Sequence, residues 1–263
     1  MVFSINGSYR FLILIGYILY VCPFVYSQTP LLETLCQELV DVNTRCKIEV
    51  IQKKGFTLGY SEAHEQPAWV SYKLTRQSVR AKRVSRKGQE FREDPEVSTG
   101  SAKLSDYRHS GYDRGHLAPA ASMAYSKQTM SESFLLSNAS PQDREFNAGI
   151  WADLEQKVRY WATVEGEIYV VTGPILPKVK THTIGTSQVT VPTAFYKVLL
   201  APRKGGKAIG FVIPNKPTKR PLKDFTVTID DIEKQTGLDF FSALPDDKEQ
   251  RIEGSFTLDA WKW

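Results

Sequence analysis

The sequence predicts a mixed α+β fold, a central and mostly antiparallel sheet flanked by helices. Three observations carry this. Two alternating runs, Phe56–Tyr60 and Trp69–Leu74, are joined by a polar turn. Two further apolar runs, VPTAFYKVLLAP and KAIGFVIPN, flank the turn sequence RKGG. Between these pairs lies a long stretch whose apolar residues recur at helical spacing. No internal repeat, long linker or low-complexity tract divides the chain, so a single domain accounts for its main body.

The chain has 263 residues, of which 41% are hydrophobic and 11% aromatic, which suits a globular protein with a sizeable core. Its formal charge is +5 and its pI is about 8.9. That balance fits a polyanionic partner without requiring one.

Residues 1–27 read as a signal peptide. MVFSINGSYR carries one arginine and no acid, and the apolar run FLILIGYILYVCPFVYS follows, with cleavage expected before Gln28. An uncleaved anchor is the rival, but the run is short of the roughly 20 residues a spanning helix needs. Cys22 as a lipid-attachment site is disfavoured by the bulky Val21 before it. The expectation is a periplasmic or secreted protein with no stable membrane association after signal removal. About 235 residues then remain.

Residues 28–54 are expected to form an N-terminal helical segment, with LLETLCQELVDVNTRC (Leu31–Cys46) as its helix. After cleavage only Cys36 and Cys46 survive, either as one local disulfide or as two free buried thiols. Residues 55–263 form the main domain. Its first hairpin is followed by seven basic residues between Arg76 and Arg92, read as a solvated connector or as a phosphate-facing segment. A long helix is predicted over Arg144–Ala162, with Ile150, Leu154, Val158 and Trp161 on one face and Asn147, Trp151 and Glu155 on a neighbouring one. EIYVVTGPIL reads as a buried strand. TIDDIEKQTGLDFF reads as a helix capped by Thr228 and ended by Gly237.

Several chemistries are excluded by their missing signatures. The sequence has no HExxH or paired CxxC, no GxSxG elbow, no GxxxxGK[ST] loop and no glycine-rich dinucleotide fingerprint. What stands out instead is Asp113-Arg114-Gly115-His116, which holds one of only four histidines. An imidazole can take a proton from water near neutral pH, best with one ring nitrogen held by an acceptor. An arginine beside it can clamp a phosphate. Gly115 permits a close approach that a side chain would block, and Asp113 can hold a backbone group or a cation. The bland alternative is a turn with a surface salt bridge. Downstream, the Asn147 amide and the Glu155 carboxylate suit a hard cation such as Mg²⁺, which keeps several waters. Trp151 reads as packing. His109, seven residues before His116, reads as a loop residue. His64 and His182 fall in polar turns.

Two blocks, YDRGHLAPAASM and FLLSNASPQDREFNAGIWADLEQKVR, make the chain similar to the DNA/RNA non-specific endonucleases, whose active site is a ββα-metal or His-Me finger. The resemblance runs from about Gly55 to Leu244 and is carried by DRGH, then SNxxPQ, then NxxxWxxLE. It implies His116 as general base, Asn147 as the direct Mg²⁺ ligand, and Glu155 as the carboxylate that orients metal-bound water. It further implies Arg114 beside the phosphate, Asn138 as a polar residue at the site, and an upstream phosphate-contacting arginine for which Arg86 is the candidate. The implied activity is Mg²⁺-dependent hydrolysis of DNA and RNA, with Mn²⁺ as a substitute, little sequence preference and 5′-phosphate products. A homodimer is compatible with it. Two rivals stay open: a nucleic-acid-binding protein without catalysis, and a metal-dependent phosphodiesterase acting on other esters.

Overall fold

The computed structural model describes residues 48–203, 205–242 and 244–263. The expected signal segment, the Leu31–Cys46 helix and the Cys36–Cys46 pair lie outside the described residues. In chain order the strands are β1 (Ile48–Gln52), β2 (Thr57–Ser61), β3 (Gln66–Thr75), β4 (Asp113–His116), β5 (Ala139–Gln142), β6 (Glu167–Ile175), β7 (Thr183–Ile184), β8 (Val189–Thr190), β9 (Ala194–Ala201), β10 (Lys207–Pro214) and β11 (Thr226–Val227). The helices are α1 (Arg76–Arg80), α2 (Leu104–Tyr107), α3 (Lys127–Ser133), α4 (Arg144–Phe146), α5 (Ala152–Glu165), α6 (Ile229–Thr236) and α7 (Asp246–Glu253).

Seven strands form the main sheet in the order β1-β2-β3-β6-β9-β10-β11. Every pairing in it is antiparallel. Alternation along β9 shows how the sheet is buried on both faces. Phe195 and Leu199 pack towards α5, together with Leu154, Val158 and Trp161. Tyr196, Val198 and Leu200 point the other way, against Ile229 and Ile232 of α6 and Ile252 of α7. The two expected hairpins are β2–β3 and β9–β10. Thr228 caps α6 by accepting the Asp231 N–H at 3.1 Å, and Gly237 ends it with φ 69°.

Two sequence expectations change. Ile48–Gln52 falls in the segment read as helical, yet it pairs along its whole length with β2 and adds an edge strand to the sheet. The domain therefore begins upstream of residue 55. The long helix also differs from its prediction. Its apolar face is buried as expected at Ile150, Leu154, Val158 and Trp161. However, residues Asn147–Trp151 form a wider π turn, with a break at Gly149 (φ −101°, ψ −114°). A π turn takes up an extra residue, so Asn147 and Glu155 do not lie two regular turns apart on one face.

Candidate active site

The DRGH sequence is strand β4. It pairs antiparallel with β5, matching Asp113 to Gln142 and His116 to Ala139. The chain then turns at Asp143, whose carboxylate caps α4 through the Glu145 and Phe146 N–H groups. Strand, strand and helix together form a ββα unit. Asn215 bolts this turn in place: its carboxamide oxygen accepts the Asp143 N–H at 2.8 Å, and its Nδ2 donates to Pro141 and Pro192 carbonyls. Ser140 donates to Gln66 at 2.6 Å, which ties β5 to the start of β3.

The four residues of β4 divide their roles by strand alternation. Gly115 lies flat on Gln142, and a Cβ at this position would sit 2.0 Å from the Gln142 Cδ. Only glycine allows that approach. Asp113 Oδ2 accepts an N–H from Asn147 Nδ2 at 3.1 Å, and its other oxygen lies 3.5 Å from Arg144 Nε. Arg114 and His116 both meet Phe91: the guanidinium is 5.3 Å from its ring centre and the imidazole 4.7 Å.

His116 is wedged between two aromatic rings, Phe91 and Phe134, the latter 4.8 Å away and edge-on. Its Nε2 is closed off from water and has no hydrogen-bond partner, so Nδ1 is the nitrogen that can serve a water molecule. The sequence reading favoured an acceptor on one ring nitrogen; here aromatic packing holds the ring instead. Burial, then the positive charges of Arg86 and Arg114, pull the imidazole down to a pKa of about 3. It is neutral at physiological pH.

Arg86, the candidate with the loosest sequence register, comes to the same place. Its guanidinium lies 5.5 Å from the centre of the Phe134 ring, the second ring that packs on His116. Each aromatic wall of the imidazole therefore carries one exposed arginine.

Asn147 opens the π turn. Asp113 takes one of its amide N–H groups, which fixes the carboxamide and assigns its oxygen to the other side. That oxygen is a neutral donor of the kind that could hold a hard cation. Asn147 is thus tied to the first residue of the strand whose last residue is His116.

The remaining candidates have different surroundings. Asn138 is fully buried, and its carboxamide is engaged with backbone. It accepts from Ala118 N at 2.8 Å and donates to the Ala118 and Ser133 carbonyls at 3.0 and 2.9 Å. It clamps the chain just after His116 and has no donor left for a phosphate. Trp151 is core, packed against Phe146 and Phe195. Glu155 faces Lys197 and Arg159; burial raises its pKa and these two cations oppose the rise. Lys197 is itself fully buried, 4.4 Å over the Trp151 ring, and donates to Thr172 Oγ1 at 3.1 Å. Burial lowers its pKa, and Glu155 opposes that.

Sequence reasoning missed Lys197 and the Asp113–Asn147 link. The signal for Lys197 is a lone charge inside the apolar strand AFYKVLLA. Among the other histidines, His109 is exposed in a turn with φ 58°. His64 bonds Thr190 Oγ1 through Nδ1 at 2.9 Å. His182 lies edge-on to Tyr112.

Comparison with known proteins points to one family. A family model described as DNA/RNA non-specific endonuclease matches residues 36–247. The zebrafish (Danio rerio) protein "Nuclease EXOG, mitochondrial" is 37% identical over 219 residues, covering 77% of this chain and 63% of its own length. "Nuclease C1" of Cunninghamella echinulata is 36% identical, covering 74% of this chain and 84% of that one. Human "Endonuclease G, mitochondrial" is 37% identical, covering 72% and 68%. A solved structure of an EndoG/EndoGI complex, described as showing the mechanism of EndoG inhibition, superposes with a TM-score of 0.71 at 32% identity. It covers 76% of this chain and 88% of that one.

Proposed function

This chain belongs to the DNA/RNA non-specific endonuclease family, and from that premise we propose that it is a Mg²⁺-dependent endonuclease that hydrolyses DNA and RNA with little regard to sequence. One observation carries the reading: an imidazole lies between two aromatic rings that each bear an arginine.

In the proposed reaction His116 takes a proton from a water as that water attacks phosphorus. Arg86 and Arg114 supply fixed positive charge to the phosphate oxygens where negative charge develops. Aromatic packing keeps the imidazole in place without a hydrogen-bonded orienter, and Asn138 holds the backbone that follows it. Asp113 orients Asn147.

The residues fit a hard cation. The Asn147 carboxamide oxygen is a neutral oxygen donor left free by the Asp113 hydrogen bond, which suits Mg²⁺, or Mn²⁺, bound mainly through water. When bound, the ion supplies Lewis-acid stabilisation of charge on the phosphate and the leaving 3′ oxygen. Glu155 belongs to the same proposal as the carboxylate that orients metal-bound water; burial raises its pKa, and the charges of Lys197 and Arg159 oppose that rise. Contacts that address the backbone rather than base edges explain low sequence preference and predict weaker binding at higher salt.

The decisive assay incubates purified protein with plasmid DNA and with RNA, with Mg²⁺ and with EDTA, alongside His116→Ala. Loss of cleavage in EDTA and in His116→Ala, with nucleic-acid binding kept, is the expected result. Undiminished cutting by His116→Ala removes the assignment of the base. Cleavage of a chromogenic phosphodiester without cleavage of plasmid favours a different phosphodiesterase.

Export through residues 1–27 is proposed on the apolar run and the lack of acids in that segment. The names of the relatives favour a mitochondrial address instead. A transit peptide is amphipathic and arginine-rich, whereas this segment has one arginine before a continuous apolar run. A fluorescent fusion to residues 1–30 separates the two.

A further inference from the structure

On the sheet face away from α5, helices α6 and α7 pack through Ile229, Ile232 and Ile252. Three carboxylates meet between these helices: Asp230 and Glu233 from α6, and Glu253 from the last position of α7. One oxygen from each lies within 4.8 Å of the others. Like charges brought this close repel, and helices do not converge on such an arrangement for nothing.

Glu253 supplies the second observation. It is only 6% exposed. Its Oε1 is shut off from water and has no hydrogen-bond partner. No lysine, arginine or histidine among the described residues forms an ion pair with any of the three carboxylates. A buried carboxylate is normally paired, protonated or bound to a metal. Glu233 is held in place by a backbone contact, since its Oε1 accepts the Phe240 N–H at 2.8 Å.

We propose that Asp230, Glu233 and Glu253 form a structural site for a hard divalent cation, Ca²⁺ in preference to Mg²⁺, which staples α6 to α7. The donor set is all oxygen, as both ions require. Ca²⁺–O distances of about 2.3–2.6 Å let oxygens up to about 5 Å apart share one ion, while Mg²⁺ at about 2.0–2.1 Å spans only about 4 Å and demands a stricter octahedron. Water completes the shell. The site is separate from the proposed nuclease centre on the ββα unit.

The test uses the full chain carrying Asn147→Ala, so that a cation at the nuclease site does not confuse the reading. After EDTA treatment and dialysis, CaCl₂ and MgCl₂ are titrated by calorimetry and by thermal unfolding. One Ca²⁺ is expected to bind, more tightly than Mg²⁺, and Tm is expected to rise with its concentration. Adding Glu253→Gln should weaken Ca²⁺ binding about 100-fold, the upper end of what even an outer-sphere partner contributes, and abolish the rise in Tm. Asp230→Asn, at a more exposed position, should do the same and serves if Glu253→Gln does not fold. With Asn147 intact, Glu253→Gln should still cut plasmid. Absence of Ca²⁺ binding overturns the proposal. Binding unchanged in both variants, or tighter for Mg²⁺, also overturns it.

Discussion

Asp113→Ala removes the group that aims the Asn147 carboxamide. The lost contact is a hydrogen bond from Nδ2 to a carboxylate oxygen at 3.1 Å in a part-buried setting. Hydrogen bonds to charged groups contribute about 1.5–3 kcal/mol. In the proposed reaction that energy does not act on phosphorus; it fixes the amide oxygen proposed to hold the cation. It should therefore appear in Mg²⁺ affinity, where partners that orient a ligand contribute about 10–100-fold. The two ranges agree, since about 1.4 kcal/mol is tenfold. The assay is the rate of plasmid cleavage against Mg²⁺ concentration. The half-saturating Mg²⁺ should rise about 10–100-fold in Asp113→Ala, with most of the maximal rate recovered at high Mg²⁺. Asn147→Ala should not be recovered by any concentration. Arg144 provides the control. Its pairing with Asp113 is long, 3.5 Å, and its side chain is 83% exposed, so the pair contributes little and Arg144→Ala should leave the curve in place. A curve for Asp113→Ala that overlays the parent, or a fall in maximal rate with no change in Mg²⁺ demand, refutes the positioning role.

The pH dependence follows from the depressed pKa of His116, whose causes are burial and then Arg86 and Arg114. A base must be unprotonated, so the acid limb of kcat/KM should lie below the ordinary histidine value of about 6.5, and Arg86→Ala should move it upward by removing a positive charge. The same depression has a stability consequence. The folded state binds fewer protons than the unfolded one between about 6.5 and the folded pKa, so this contribution is present above 6.5 and lost as pH falls through that window; a His116→Phe variant should show a flatter decline of Tm on acidification. Gly115→Ala drives a Cβ to 2.0 Å from the Gln142 side chain, and overpacking of this kind costs about 1–3 kcal/mol. A lower Tm together with impaired cleavage is expected, and an unchanged Tm counts against the close-approach account. Arg114→Ala should weaken binding to DNA and RNA alike and reduce its salt dependence by about one phosphate contact.

The sheet was legible where one local period decided the matter. Phe56–Tyr60 and Trp69–Leu74 alternate and became a hairpin. Ile150, Leu154, Val158 and Trp161 share a helical face and became core. Local pattern failed where a distant partner decides. Ile48–Gln52 is a strand because β2 presents an open edge, a fact set residues away from the segment. The π turn at Asn147–Trp151 leaves no periodic signature, because one extra residue alters a face without changing which residue types are apolar. The strand character of Asp113–His116 is equally hidden, since four residues with two charges carry no alternation of hydropathy; their pairing with Ala139–Gln142 supplies it.

For the site, residue types were more legible than their supports. His116 and Asn147 stand out because imidazole and amide have few chemical equivalents, but what holds them does not. Phe91 and Phe134 read as ordinary core candidates, yet each packs on the imidazole and takes an arginine on its own ring. This arrangement solves a problem that a carboxylate orienter would create. An acid hydrogen-bonded to the ring would raise the histidine pKa and add negative charge beside Arg86 and Arg114. Aromatic walls fix the ring without a charge, and their negative faces favour the two arginines. The acid in the motif, Asp113, is directed instead through Asn147 and Arg144. The Arg114 guanidinium and the His116 imidazole thus share one face of a four-residue strand. Its single carboxylate is held by the amide and cation of the following helix.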